Sequence, residues 1–101
     1  MRIKPGVVIQ GISNEMTIGV LVVVSIFEKH GVEPVLTSVL EGEHSRTSLH
    51  HSGNATDWRT RHIHGTTLGL IISDLNDALP SDLFDVVREP THLHIEYQPK
   101  G

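Results

Sequence analysis

The chain contains no cysteine. Disulfide scaffolds and thiolate metal centres are excluded, so any transition metal must be held by histidine and carboxylate. The same absence fits either redox compartment and gives no location. Aromatic residues are scarce, with two Phe, one Trp and one Tyr in 101 residues. A core must therefore come mostly from Val, Ile and Leu, and the length suits one domain, residues 1–101. Basic runs are missing, and the formal net charge is −4 with histidines neutral. That excludes a broad nucleic-acid footprint and a basic membrane-binding surface. Long apolar runs are missing as well. The most apolar stretch, Met16 to Phe27, is about half the ~20 residues that span a bilayer. The opening MRIKPGVVIQG has a proline and polar residues where a signal peptide needs a continuous apolar core. The expectation is a protein made in the cytoplasm with no membrane partner.

What the chain has in excess is histidine: eight, at 30, 44, 50, 51, 62, 64, 92 and 94. Without cysteine, this raises the case for a metal site. GISNEMTIGVLVVVSIFEKHG reads as a helix. Ser13 or Asn14 caps its start, Gly31 ends it, and Lys29 and His30 suit the negative end of its dipole. Apolar residues almost all round predict a central, mostly buried position. PVLTSVL reads as a short strand after Pro34. Residues 41–65, rich in Gly, Ser, Thr, Asn and His, read as a long polar loop, and loops of that length in small domains are usually functional. TTLGLIISDLNDAL is a second helix, capped by Thr66 or Thr67, buried through Leu68, Ile71, Ile72, Leu75 and Leu79, and ended by Pro80. The tail LFDVVREPTHLHIEYQPKG reads as a hairpin turning at Glu89-Pro90-Thr91. Alternation puts His92, His94 and Glu96 on one face and Leu93, Ile95 and Tyr97 on the other.

A catalytic zinc site takes three protein ligands and keeps one position open. The chain offers His50 and Asp57 from the loop and one histidine from the terminal strand. Glu89 or His92 would serve as the nearby base. Ser48, His50, Gly53, Ala55 and Asp57 spell S-x-H-x-x-G-x-A-x-D, and Glu89, His92 and His94 spell E-x-x-H-x-H. In that order the pair resembles the zinc D-Ala-D-Ala carboxypeptidase family, whose relatives include lysostaphin-type enzymes and hedgehog signalling domains. Residues 35 to 100 look most like small peptidases encoded by bacteriophages.

The resemblance implies an α+β fold, with a small antiparallel sheet carrying the zinc and two helices packed behind it. It implies zinc ligands His50, Asp57 and His94, with Glu89 and His92 acting on the attacking water and the tetrahedral intermediate. Relatives with E-x-x-H alone take that histidine as ligand, which would be His92 here. The implied substrates are peptidoglycan stem peptides, reached by release to the cell wall or from within a virion. His44 and Arg46 are the candidate substrate contacts. Two departures stand out. Relatives often have an arginine shortly after the Thr-Ser of the strand, where it binds a substrate carboxylate; this chain has Val39-Leu40, leaving Arg46, Arg59 or Arg61 as replacements. Thr91 stands where close relatives often have aspartate.

Plainer readings run beside these. His50 and Asp57 also suit a polar turn, and His92 and His94 an exposed face of an edge strand. Glu96 suits a structural role, orienting a ligand imidazole. His62 and His64 read as surface residues, His30 as a helix-dipole partner, and Trp58 as core with an indole donor seeking an acceptor. A zinc-binding structural or interaction domain without turnover is the alternative to the enzyme.

Overall fold

Ser13 starts the first helix. Its Oγ accepts the backbone N–H of Met16 at 3.0 Å, which satisfies one of the donors a helix start leaves open. Helix α1 (Asn14–Lys29) then runs to His30, and Gly31 follows at φ +70°, the left-handed conformation that glycine adopts without strain. In this computed structural model, residues 1–39 and 53–99 are described. The remaining elements are β1 (Arg2–Ile3), β2 (Val35–Ser38), β3 (Ala55–Arg59), α2 (Gly65–Ala78), β4 (Phe84–Arg88) and β5 (His92–Tyr97).

The strands form one five-stranded sheet in the order β1-β2-β3-β5-β4. The α+β class expected from the sequence holds. The sheet is mixed, because β1 pairs with β2 in parallel while the other pairings are antiparallel. The expected hairpin is present: Arg88 lies opposite Leu93, and Glu89 N–H donates to the His92 carbonyl at 2.9 Å to close the turn. Strand β5 sits between β3 and β4, so it is an interior strand and not an edge.

Three expectations need correction. The polar loop drawn over 41–65 contains β3, the middle strand of the sheet. Its polar composition conceals its burial: Ala55, Thr56 and Trp58 are all fully buried. The Trp58 indole N–H donates to Thr56 Oγ1 at 2.9 Å, which makes a buried threonine and a buried tryptophan mutually tolerable. Second, α1 is not buried all round. Met16, Gly19, Val23, Ile26 and Phe27 face the core at helical spacing, while Ile18 and Leu21 are more than half exposed. It covers one face of a sheet, and a covering helix needs only one apolar stripe. Third, α2 starts one residue before the expected caps. His64 takes the cap position without a side-chain bond, and Thr66 and Thr67 lie inside the first turn.

The apolar face of the sheet and both helices enclose the core. Trp58, Leu93 and Ile95 meet Phe27, Val23, Ile71 and Leu75, all essentially inaccessible to water. Phe27 and Trp58 pack tilted with centroids 6.2 Å apart, and Phe84 meets Tyr97 edge-on at 5.3 Å. The opposite face of β3 and β5 carries the residues with chemistry.

Candidate metal centre

The antiparallel register of β3 and β5 sets Asp57 opposite His94 and Arg59 opposite His92. Opposed residues on adjacent strands have neighbouring side chains, so two segments far apart in sequence share one surface. His94 Nδ1 lies 2.7 Å from Asp57 Oδ1, and His94 Nε2 lies 2.7 Å from Glu96 Oε1. The imidazole is held at both nitrogens. Glu96 thus contacts and orients His94, as its position on the strand suggested.

Glu89, at the hairpin turn, completes the group. One ligand atom each from Asp57, Glu89 and His94 lies within 4.8 Å of the others. One nitrogen and one oxygen from partly buried strand residues, with a second oxygen from the exposed turn, make a donor set that divalent metals accept, zinc among them. These three residues could hold a metal ion.

The charges point the same way. Among the described residues three carboxylates, Asp57, Glu89 and Glu96, lie around one imidazole, and two of them bond it directly. His94 responds by holding a proton: its pKa rises from 6.5 to about 9. The bond to Asp57 is the main cause, burial opposes it, and the bond to Glu96 adds to it. A protonated ring donates from both nitrogens, one to each carboxylate. A metal would replace one of those protons.

Gly53 and Ala55 explain two fixed positions of the first motif. Gly53 has φ +74°, and a Cβ there would run into the Gly11 carbonyl oxygen and lie 3.0 Å from Ile12 Cα. Its own carbonyl accepts the Ser13 N–H at 3.0 Å, which ties the entry of β3 to the start of α1. Ala55 is fully buried two residues before Asp57. Both serve to place Asp57. The hydroxyl of Thr37, on β2, donates to the Asp57 carbonyl at 3.1 Å and steadies it from the other side.

Of the other expected site residues, His92 shares the face but not the group; its Nδ1 lies 2.9 Å from Thr91 Oγ1. His44, Arg46 and His50 lie outside the described residues. Of Val39-Leu40, the pair after Thr37-Ser38, Val39 is fully buried in the core and committed to packing, and Leu40 lies outside the described residues. His62 donates from Nε2 to the Glu33 carbonyl at 2.8 Å, and His64 stands at the N-terminal boundary of α2 with no side-chain bond to the helix, so neither joins the metal group. His30 does sit at the end of α1, but it also pairs with Asp74 of α2 at 2.7 Å, a contact between helices that the dipole argument missed. No helix among the described residues is long and apolar enough to cross a membrane.

Comparison of the chain with protein-family models, curated proteins and solved structures returns no match.

Proposed function

We propose that the protein is a zinc-dependent peptidase that hydrolyses peptide bonds of bacterial cell-wall stem peptides, a phage lysin-type enzyme. One observation supports this above the others: Asp57 of the first motif and His94 of the second lie side by side, with Glu89 in reach of both. In this reading Asp57 and His94 hold the metal with His50. Bound zinc supplies Lewis acidity toward a peptide carbonyl and lowers the pKa of water. Glu89, exposed on a tight turn, takes the proton from the attacking water and passes it to the leaving amine. His92, one step along β5, faces the same surface and donates a hydrogen bond to the oxyanion. Glu96 keeps the His94 ring in its orientation.

A second reading is favoured by one specific feature. Glu89 lies among the candidate ligand atoms, and a glutamate bound to the metal is not available as a base. The protein would then be a zinc-binding structural or interaction domain, for example a virion component. Purified peptidoglycan incubated with the protein, with and without chelator, separates the two. Chelator-sensitive release of new amino or carboxyl termini, lost in Glu89→Ala with zinc retained, supports the peptidase. Stoichiometric zinc with no release from several wall chemotypes, and zinc lost in Glu89→Ala, favours the structural domain.

A further inference from the structure

We propose that the pocket at the start of α2 binds a phosphate group, free or carried on a small organic molecule. The pocket holds about 480 Å³ between the end of β3, the first turn of α2 and the turn of the β4–β5 hairpin. That is within the range of small-molecule sites and more than a bare anion fills.

The donors begin with backbone. Gly65-Thr66-Thr67 opens α2, and among the described residues their three N–H groups have no acceptor. His64 offers no side-chain bond to the helix, and no acid stands in the first turn. Free amides at the positive end of a helix dipole aim donors at an anion. Gly65 leaves the approach open, since a Cβ there would meet nothing within 4 Å. Thr60 is the second, independent feature: it is 6% exposed and lines this pocket. Its hydroxyl has no hydrogen-bond partner among the described residues, yet no side-chain oxygen among them is sealed off without one. The Thr60 oxygen therefore reaches the pocket surface, a nearly buried donor that needs an acceptor.

Arg88, at the end of β4, adds a full charge, and neither it nor Arg61 beside it forms an ion pair among the described residues. The number of donors selects phosphate. Three amides, one hydroxyl and the paired N–H groups of Arg88 exceed the roughly four sites that a carboxylate offers. The third terminal oxygen of a phosphate takes the remainder. Ile63, Leu68 and Pro90 make an apolar side, which suits the body of a molecule carrying that phosphate. Glu89 opposes an anion, but it is the one member of the metal group that borders the pocket; Asp57 and His94 do not. The site is thus independent of the peptidase reading, which stands if phosphate fails to bind.

The test is a chemical-shift titration of the full, metal-free chain, in which phosphate has no metal to ligate. The probes are inorganic phosphate, phenyl phosphate, and N-acetyl-dialanine with a free carboxylate. Saturable shifts at Thr60 and at the Gly65, Thr66 and Thr67 amides are expected with both phosphates. Phenyl phosphate binding about tenfold tighter, the worth of roughly two buried CH₂ groups, identifies an organic ester; equal affinities identify free phosphate. Arg88→Gln should weaken binding about tenfold and Thr60→Val about fivefold, the worth of one charged and one neutral contact. Glu89→Gln should strengthen it by removing a like charge. Thr66→Asp discriminates most sharply. An acid in the first turn suits the helix, so the urea midpoint should hold or rise while phosphate binding is lost. Arg88 and Thr66 are exposed, so both variants remain informative if Thr60→Val fails to fold. No saturable shift with either phosphate, equally tight binding of N-acetyl-dialanine, or unchanged affinity in both Arg88→Gln and Thr66→Asp overturns the proposal.

Discussion

Among the described residues are two histidine–aspartate pairs of the same length, 2.7 Å: His94 with Asp57 on the sheet, and His30 with Asp74 between the helices. Distance does not distinguish them; their neighbours do. At Asp74 the second partner is a cation, since Lys29 Nζ lies 3.0 Å from the same carboxylate oxygen. One carboxylate there faces two basic groups and is satisfied. At His94 the second partner is another carboxylate, Glu96, and Glu89 stands close by. Among the described residues one imidazole there faces three carboxylates, and three of these four side chains could hold a metal ion. The supports differ as well. Asp57 and His94 lie on two interior strands held in register, whereas Lys29, His30 and Asp74 lie on the outer layer of helices. A carboxylate-rich cluster on strands held in register suits a metal; a balanced pair between helices suits docking.

Zinc affinity should separate the two pairs most strongly. Asp57→Ala is expected to weaken zinc binding by more than about a hundredfold, beyond the usual effect of losing an outer-shell partner. Asp74→Ala should leave it unchanged. Competition against a chromogenic chelator measures both, and equal affinities in the two variants would erase the distinction. Glu96→Gln comes next. It keeps the size of the side chain but removes the charge that orients the His94 ring, and a loss of about ten- to a hundredfold is expected. Unaltered affinity would make Glu96 a bystander.

How far the sequence discloses this depends on what holds each part. The hairpin was legible because His92, His94 and Glu96 alternate with Leu93, Ile95 and Tyr97, and alternation is a backbone property. Both helices were legible because Ser13, Gly31 and Pro80 mark their limits by local chemistry. Strand β3 was not, because Thr56 is buried only by virtue of its bond to Trp58, a contact that emerges with the fold. The outward face of Ile18 and Leu21 was hidden for the converse reason: apolar residues remain on protein surfaces, so apolarity does not certify burial. At the site, Asp57 and His94 could be named from motif positions, but their adjacency needed the β3–β5 register.

Titration sharpens the comparison next. In the metal-free protein His94 keeps its proton to about pH 9, against 6.5 for an unconstrained imidazole. The folded state therefore holds a proton that the unfolded chain releases above pH 6.5. The resulting stabilisation is complete below pH 6.5 and is lost as pH rises through about 9. Urea midpoints of the metal-free protein should fall across that window, and His94→Gln should flatten the fall. An NMR midpoint for the His94 ring near 6.5 would show that the carboxylates do not act on it as described.

The smallest effect is expected at Asp74. His30 and then Lys29 hold its carboxyl below the usual 3.8. The sign is opposite to that of His94: the folded state favours the deprotonated form, so the stabilisation is present above pH 3.8 and disappears as pH falls below it. Asp74→Asn should lower the urea midpoint slightly at neutral pH, because Lys29 is largely exposed and water and salt screen such pairs. The difference between wild type and variant should shrink with added salt and vanish in acid. A deficit that persisted once the Asp74 carboxyl is protonated in the folded protein, as followed by NMR, would mean that Asp74 acts by packing, and the two pairs would then differ in kind and not only in charge balance.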